Sequence, residues 1–257
     1  MMYEQGIATF ALCEAYHMTK DKWLERGAQL AINFVRSAQA KNGSWDYFPG
    51  QANGDLSIAG WQMMALRSAA AAGLVVPAAN VRRIDNFLNS RTVDRGETYF
   101  YRKAQVGVPE LTAIAALMRL MRGWSPSDPK IQRNIQFVFY RNPDNDADDG
   151  PEMTDVYFNY YATNLLFYSH SNLWPMWNER LKTIYLATQS KEGHEAGSWF
   201  AHNERLPGAG FSSLESDNGL NRIGGRLYTT TMAALTLEVY YRILPIQHDD
   251  VKIDFKL

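Results

Sequence analysis

Cysteine is nearly missing from this chain: Cys13 is the only one in 257 residues. An internal disulfide framework is therefore excluded, and the flanking run ATFALCEAY marks Cys13 as a core residue. Charge of one sign is also missing, with a net of -1 and short basic clusters such as VRR at 81–83 set among acids. That balance gives nucleic acid and anionic membranes no electrostatic footing. Long hydrophobic runs are absent too. The most apolar stretch, SAAAAGLVVPAA, is interrupted by Gly73 and Pro77 and is too short to cross a bilayer. The opening MMYEQGIATF has neither the charged nor the continuous apolar region of a signal peptide. No GxSxG elbow, HExxH pair or phosphate-cradling glycine loop occurs, and no segment reads as a convincing strand.

Apolar helices are what the sequence does contain. Five segments open on small residues and run on as apolar stretches: GIATFALCEAY, SIAGWQMMALRSA, ELTAIAALMRL, YYATNLLFYSH and YTTTMAALTLEVYY. Aligned on Ala8, Ala59, Thr112, Ala162 and Thr230, they recur about every fifty residues with a longer last interval, the mark of repeated supersecondary units. Each is apolar nearly all round, as a helix enclosed by protein should be. Between them lie the amphipathic stretches DKWLERGAQLAINFVRSAQ, AANVRRIDNFLN, DPKIQRNIQFVFY and WPMWNERLKTIYLATQ. Asp21, Asp55 and Asp128 stand near helix starts, and Pro109 and Pro129 near first turns. The expected fold is all-α: one domain over 1–257, an α/α toroid of helix pairs with parallel inner helices and antiparallel outer ones.

The loops repeat as well. QAKNGSW carries Gln39, Gly43 and Trp45, and QSKEGHEAGSW carries Gln189, Gly197 and Trp199. Both resemble the QW motif of squalene and hopene cyclases. Together with GDLSIAGWQMMAL and RLYTTTMAALTLEVYYRILP, they make the whole chain similar to the bacterial prenyltransferase and squalene oxidase repeat proteins, a squalene-cyclase-like group. Read physically, the Gln bonds carbonyls at a helix end, Gly allows the turn and Trp packs over the junction, so these loops staple neighbouring repeats.

The resemblance raises the chemistry of class II terpene cyclases, in which a DxDD motif protonates an alkene or epoxide. DNDADDG at 144–150 supplies Asp146, Asp148 and Asp149 as DADD, followed by Gly150 and Pro151 where that family continues into a helix. The loop has two other readings. Asp144, Asp146 and Asp148, with Asp155 twelfth in line, could hold calcium, although Gly150 falls one position late and the twelfth ligand is usually a Glu. The plainest reading is a solvated Asn/Asp/Gly/Pro turn. Zinc of the protein-prenyltransferase kind is not expected, because Ala11 stands where Asp should precede Cys13, and Met2 in MYEQ forbids a thioester.

A toroid places its site at the starts of the inner helices, where unpaired backbone N–H groups collect. Candidates there are Glu4, Gln5, Asp55, Trp61, Gln62, Glu110, Thr112, Tyr157, Asn159, Tyr160, Tyr228 and Thr229. Asp55 reads first as an N-cap and second as an acid. His194 and Glu195, in the long segment 191–226, form a candidate acid–base pair on a binding loop. The expected function is binding of an isoprenoid, glycan or polypeptide in the central cavity. The alternatives are an active squalene-type cyclase, and a carbohydrate-active lyase or hydrolase. The chain opens inside a helix, so a longer soluble bacterial protein, cytoplasmic or periplasmic, is expected, with an N-terminal region or partner chain over that first helix.

Overall fold

The computed structural model describes residues 1–93, 96–102, 106–140, 155–200 and 220–240, with side chains in the last stretch from 224. These residues are predominantly helical. The order is α1 (Met2–Thr19), α2 (Lys22–Ser37), α3 (Leu56–Ala72), α4 (Ala78–Asn89), β1 (Thr92–Val93), β2 (Thr98–Tyr99), α5 (Pro109–Met121), α6 (Pro129–Tyr140), α7 (Val156–Tyr168), α8 (Trp174–Thr188) and α9 (Leu220–Leu237). All five apolar segments and all four amphipathic ones are helices. The antiparallel β1–β2 pair corrects the expectation of no strand: Thr92, Val93, Thr98 and Tyr99 are β-branched or aromatic, residue types that favour strands.

Local chemistry sets the helix starts. Asp21 accepts from the Trp23 amide (2.9 Å), Asp55 from Ser57 and Ile58 (2.8 and 3.1 Å), Asp128 from Lys130 (2.8 Å) and Asp155 from Phe158 (2.9 Å). Each cap contributes on the order of 1 kcal/mol. Pro109 opens α5, where its missing N–H costs nothing.

Two compact units can be described, Met1–Asn134 and Ile135–Arg242. In the first, α1 packs on α2 and α3, and α3 packs on α5. Almost every residue of α3 and α5 is buried, including both flanks of each helix. α1 differs: Met2, Thr9, Phe10 and Cys13 are buried, while Ile7, Ala8, Ala11 and Met18 are exposed. Polar bonds join the helices. Arg119 on α5 is buried and donates to the Tyr99 hydroxyl (3.2 Å), Asp85 (3.1 Å) and Asn89 (2.6 Å), tying α5 to α4. In the second unit α7 packs on α8 and α9. Its centre is Trp177, whose indole donates to Thr163 (2.9 Å) and whose ring meets Phe158 edge-on at 5.9 Å.

The two QW-like loops share one bonding scheme. The Trp45 indole donates to the Val35 carbonyl and the Trp199 indole to the Tyr185 carbonyl, both at 2.8 Å, satisfying acceptors in the last turns of α2 and α8. The glutamines do something other than expected, since Gln39 and Gln189 donate to the Gly43 and Gly197 carbonyls (3.0 and 2.9 Å) and clamp the loop itself. The residue after each Gln pairs with the same partners: Ala40 N–H with Ser44 O, and Ser190 N–H with Ser198 O, both 2.9 Å. Gln39 also exchanges bonds with Asn80 of α4 (2.9 Å each way), which ties the loop after α2 to α4.

Candidate functional site

The start of α3 gathers the densest set of titratable and aromatic groups among the described residues of the first unit. Asp55 ends the loop that follows Trp45, held by the bond from its own N–H to the Trp45 carbonyl (2.8 Å). Gly54 before it has φ 73° and lies against the Phe87 ring and Ser44, where a Cβ would strike both. Asp46 follows Trp45 directly, is buried, and accepts from the Tyr47 amide (2.8 Å) and from Arg102 (3.3 Å). The Tyr101 hydroxyl interacts with the Asp55 carboxyl and with Tyr47. Arg102 lies over the Tyr101 ring at 5.2 Å, and Tyr47 meets Tyr3 of α1 at 6.0 Å. Two carboxyls thus sit beneath a half-exposed tyrosine and a half-exposed guanidinium.

Burial raises the Asp55 carboxyl above its ordinary range, partly offset by the Ile58 and Ser57 amides and by Tyr101 and Arg102. Tyr47 and Tyr101 are also raised, first by burial and then by the Asp55 charge. For Arg102, burial acts to lower the value, but Tyr101, Asp46 and Asp55 outweigh it and hold the guanidinium charged.

Arg102 has φ 52°. The other described non-glycine residues with positive φ, Lys20 and His170, end α1 and follow α7, where a left-handed residue closes a helix. Arg102 closes none. Its conformation is held by Arg91, which donates to the Arg102 carbonyl (2.6 Å) and to the carbonyls of Asn53 and Gly54. A strained residue fixed from two sides, carrying an exposed cation, is the kind of backbone found at functional sites.

The other candidates divide. Glu4 is exposed and pairs with the Met1 amine (3.1 Å), and Gln5 donates to Thr9 (3.0 Å). Trp61 is buried against Phe10, and Gln62 donates to the Met2 carbonyl (2.6 Å), so both join α3 to α1 and neither offers a surface to a ligand. Glu110 lies in the first turn of α5, and Thr112 accepts from the Tyr99 amide (3.0 Å). In the second unit Thr230 accepts in the same way from Trp199 (3.0 Å), and Thr229 is buried. Tyr160 is buried, Tyr157 and Tyr160 both pack edge-on against Tyr161 at 5.0 Å, and Asn159 donates to the buried Tyr185 hydroxyl (3.4 Å). Tyr228 is half-buried on α9. Glu195 pairs with Arg226 (3.0 Å), and His194 is exposed beside it in a short 3-10 turn. Cys13 is buried and its thiol is pushed up to about 12 by burial and then by Glu14, so it is no nucleophile.

Asp144, Asp146, Asp148 and Asp149 lie outside the described residues. Among the described residues no group of three His, Cys, Asp or Glu could hold a metal ion. Asp46, Tyr3, Tyr47, Arg91, Tyr101 and Arg102 escaped the sequence reading. The signals of Asp46, Tyr47, Tyr101 and Arg102 were present in DYFPG directly after the Gly-x-Trp and in TYFYR ahead of α5. Comparison with family models, curated proteins and solved structures finds no match for this chain.

Proposed function

We propose that this chain is a ligand-binding α/α toroid domain, akin to the squalene-cyclase-like repeat proteins, whose ligand lies over the N-terminal ends of the inner helices. Support for the architecture comes from the alternation of enclosed and amphipathic helices, the packing of α1 on α3 and α3 on α5, and the repeated Gln–Gly–Trp junction. The observation that carries the binding reading is the Tyr101–Arg102 pair, half-exposed, strained and anchored from beneath by Asp55 and Asp46. Such preorganised polar groups beside aromatic rings suit recognition.

A terpene cyclase would set its acid before an apolar wall. Asp55 instead faces Tyr101, with Arg102 and Asp46 close by, surroundings that favour a polar ligand over an isoprenoid. Mass spectrometry of organic and aqueous extracts from protein purified in its native host tests this. The expected result is a polar compound retained by the wild type and lost from Tyr101→Ala. A near-stoichiometric isoprenoid would replace the binding reading with the cyclase one.

A further inference from the structure

The charges at the start of α3 restrict what can bind there. Asp46 and Asp55 face Arg91 and Arg102, two carboxyls against two guanidiniums, so the set is balanced. An acidic ligand would have to compete with Asp46 for Arg102, and a cationic one would find both carboxyls buried. An apolar chain laid over Arg102 would take a guanidinium out of water and give it no acceptor, a loss of more than any single contact returns. A peptide that docks by strand addition needs a sheet edge to pair with, and β1–β2, two residues each, is the only sheet among the described residues. What remains is an uncharged molecule with apolar faces for the aromatic rings and many hydroxyls for the polar groups. Sugars have that form.

The exposed groups match. Tyr101 is 41% exposed, which leaves aromatic surface beside the polar cluster. Arg102 is 37% exposed at its side chain, so it can still donate while Asp46 holds it. The buried carboxyls do not touch the ligand. They are positioning groups, with Asp55 set against the Tyr101 hydroxyl and Asp46 against the Arg102 guanidinium.

Resting on the site placement above, we propose that the site binds a neutral glycan, one sugar ring packing beside the Arg102-covered ring of Tyr101 and its hydroxyls accepting from Arg102. The left-handed Arg102 backbone is fixed by the bond from Arg91 to the Arg102 carbonyl, and the guanidinium is held by Asp46. Strain retained at one surface arginine has no structural use in ending a helix, and in this reading it preorganises the donor.

The test is isothermal titration of the full chain with cellohexaose, chitohexaose and mannohexaose, alongside hexagalacturonate, farnesol and a neutral decapeptide. At least one neutral hexaose is expected to bind, and Tyr101→Ala and Arg102→Gly are each expected to weaken it about tenfold or more. Arg102→Gly suits the left-handed backbone but removes the partner of Asp46, so a retained cooperative melting transition is the check that its loss of binding is not a loss of fold. If hexagalacturonate, farnesol or the peptide binds instead, with the same sensitivity to Tyr101→Ala, the glycan assignment fails while the site stands. A hexaose that binds equally well to both variants overturns the site placement and the assignment together. No binding by any neutral hexaose also overturns the assignment.

Discussion

The two Gln–Gly–Trp junctions are alike in their bonds and unlike in their company. At 39–45 and 189–199 the indole satisfies a carbonyl in the last turn of the preceding amphipathic helix, and the Gln clamps the turn. Around the first stand Asp46, Asp55, Tyr47, Tyr101 and Arg102; beside the second, Arg226 binds Glu195, Ser190 and Ser198 within the loop itself. The junction is therefore a scaffold part, reusable at each repeat, and any recognition belongs to residues added around one copy. This explains how a repeat can be conspicuous in the sequence without locating a site.

Breaking the shared part tests that account first. Trp45→Ala removes a fully buried indole and is expected to cost about 3–5 kcal/mol; Trp199→Ala should cost slightly less, because that side is 6% exposed. Urea denaturation midpoints compare them, and a Trp45 variant near wild-type stability would remove the junction from the scaffold.

The glycines should separate more widely. Both have positive φ, but a Cβ at Gly43 would collide with the Arg83 carbonyl, whereas at Gly197 nothing stands within 4 Å. Gly43→Ala should lose about 3 kcal/mol and Gly197→Ala about 1–2 kcal/mol, the strain alone. Equal losses would show that the first loop relaxes away from α4. Gln39→Ala removes two buried bonds to Asn80, leaving its amide only the longer bond to the Arg36 carbonyl, and should cost about 1–3 kcal/mol, against under about 1 kcal/mol for Gln189→Ala, whose bond is exposed.

The smallest effect is a slope. The Asp55 carboxyl is raised by burial, so its favourable contribution is fully present below the ordinary carboxylate value of about 3.9 and is lost as pH rises through the raised folded value. Asp55→Asn keeps a capping oxygen and has no charge to bury. The wild type should therefore lose stability relative to this variant as pH rises from about 3 through the folded value, with no further change above it. A difference that grows in the opposite direction would mean that Asp55 is held ionised in the fold.

Much of the fold was legible because burial and capping are local in sequence. The all-round apolar character of SIAGWQMMALRSA and ELTAIAALMRL predicted enclosed helices, and α3 and α5 are buried on every side. Asp21, Asp55 and Asp128 announced helix starts by residue type alone. The role of Gln39 was misplaced because a side-chain amide gives no hint of which carbonyl it will reach. Most of the site was not legible: Asp46 and Arg102 are 56 positions apart and meet only once α3 and β2 are in place. The pairing of Glu195 was hidden for a similar reason, since its neighbour in sequence is His194 but its partner in space is Arg226.

Hydrogen exchange of the full chain, with and without the neutral hexaose panel, tests the central claim most directly. Protection gained at residues 45–56 and 99–102, with 189–199 unchanged, is the predicted result. Protection at both junctions, or at 189–199 alone, would contradict the claim that the first junction alone carries the site.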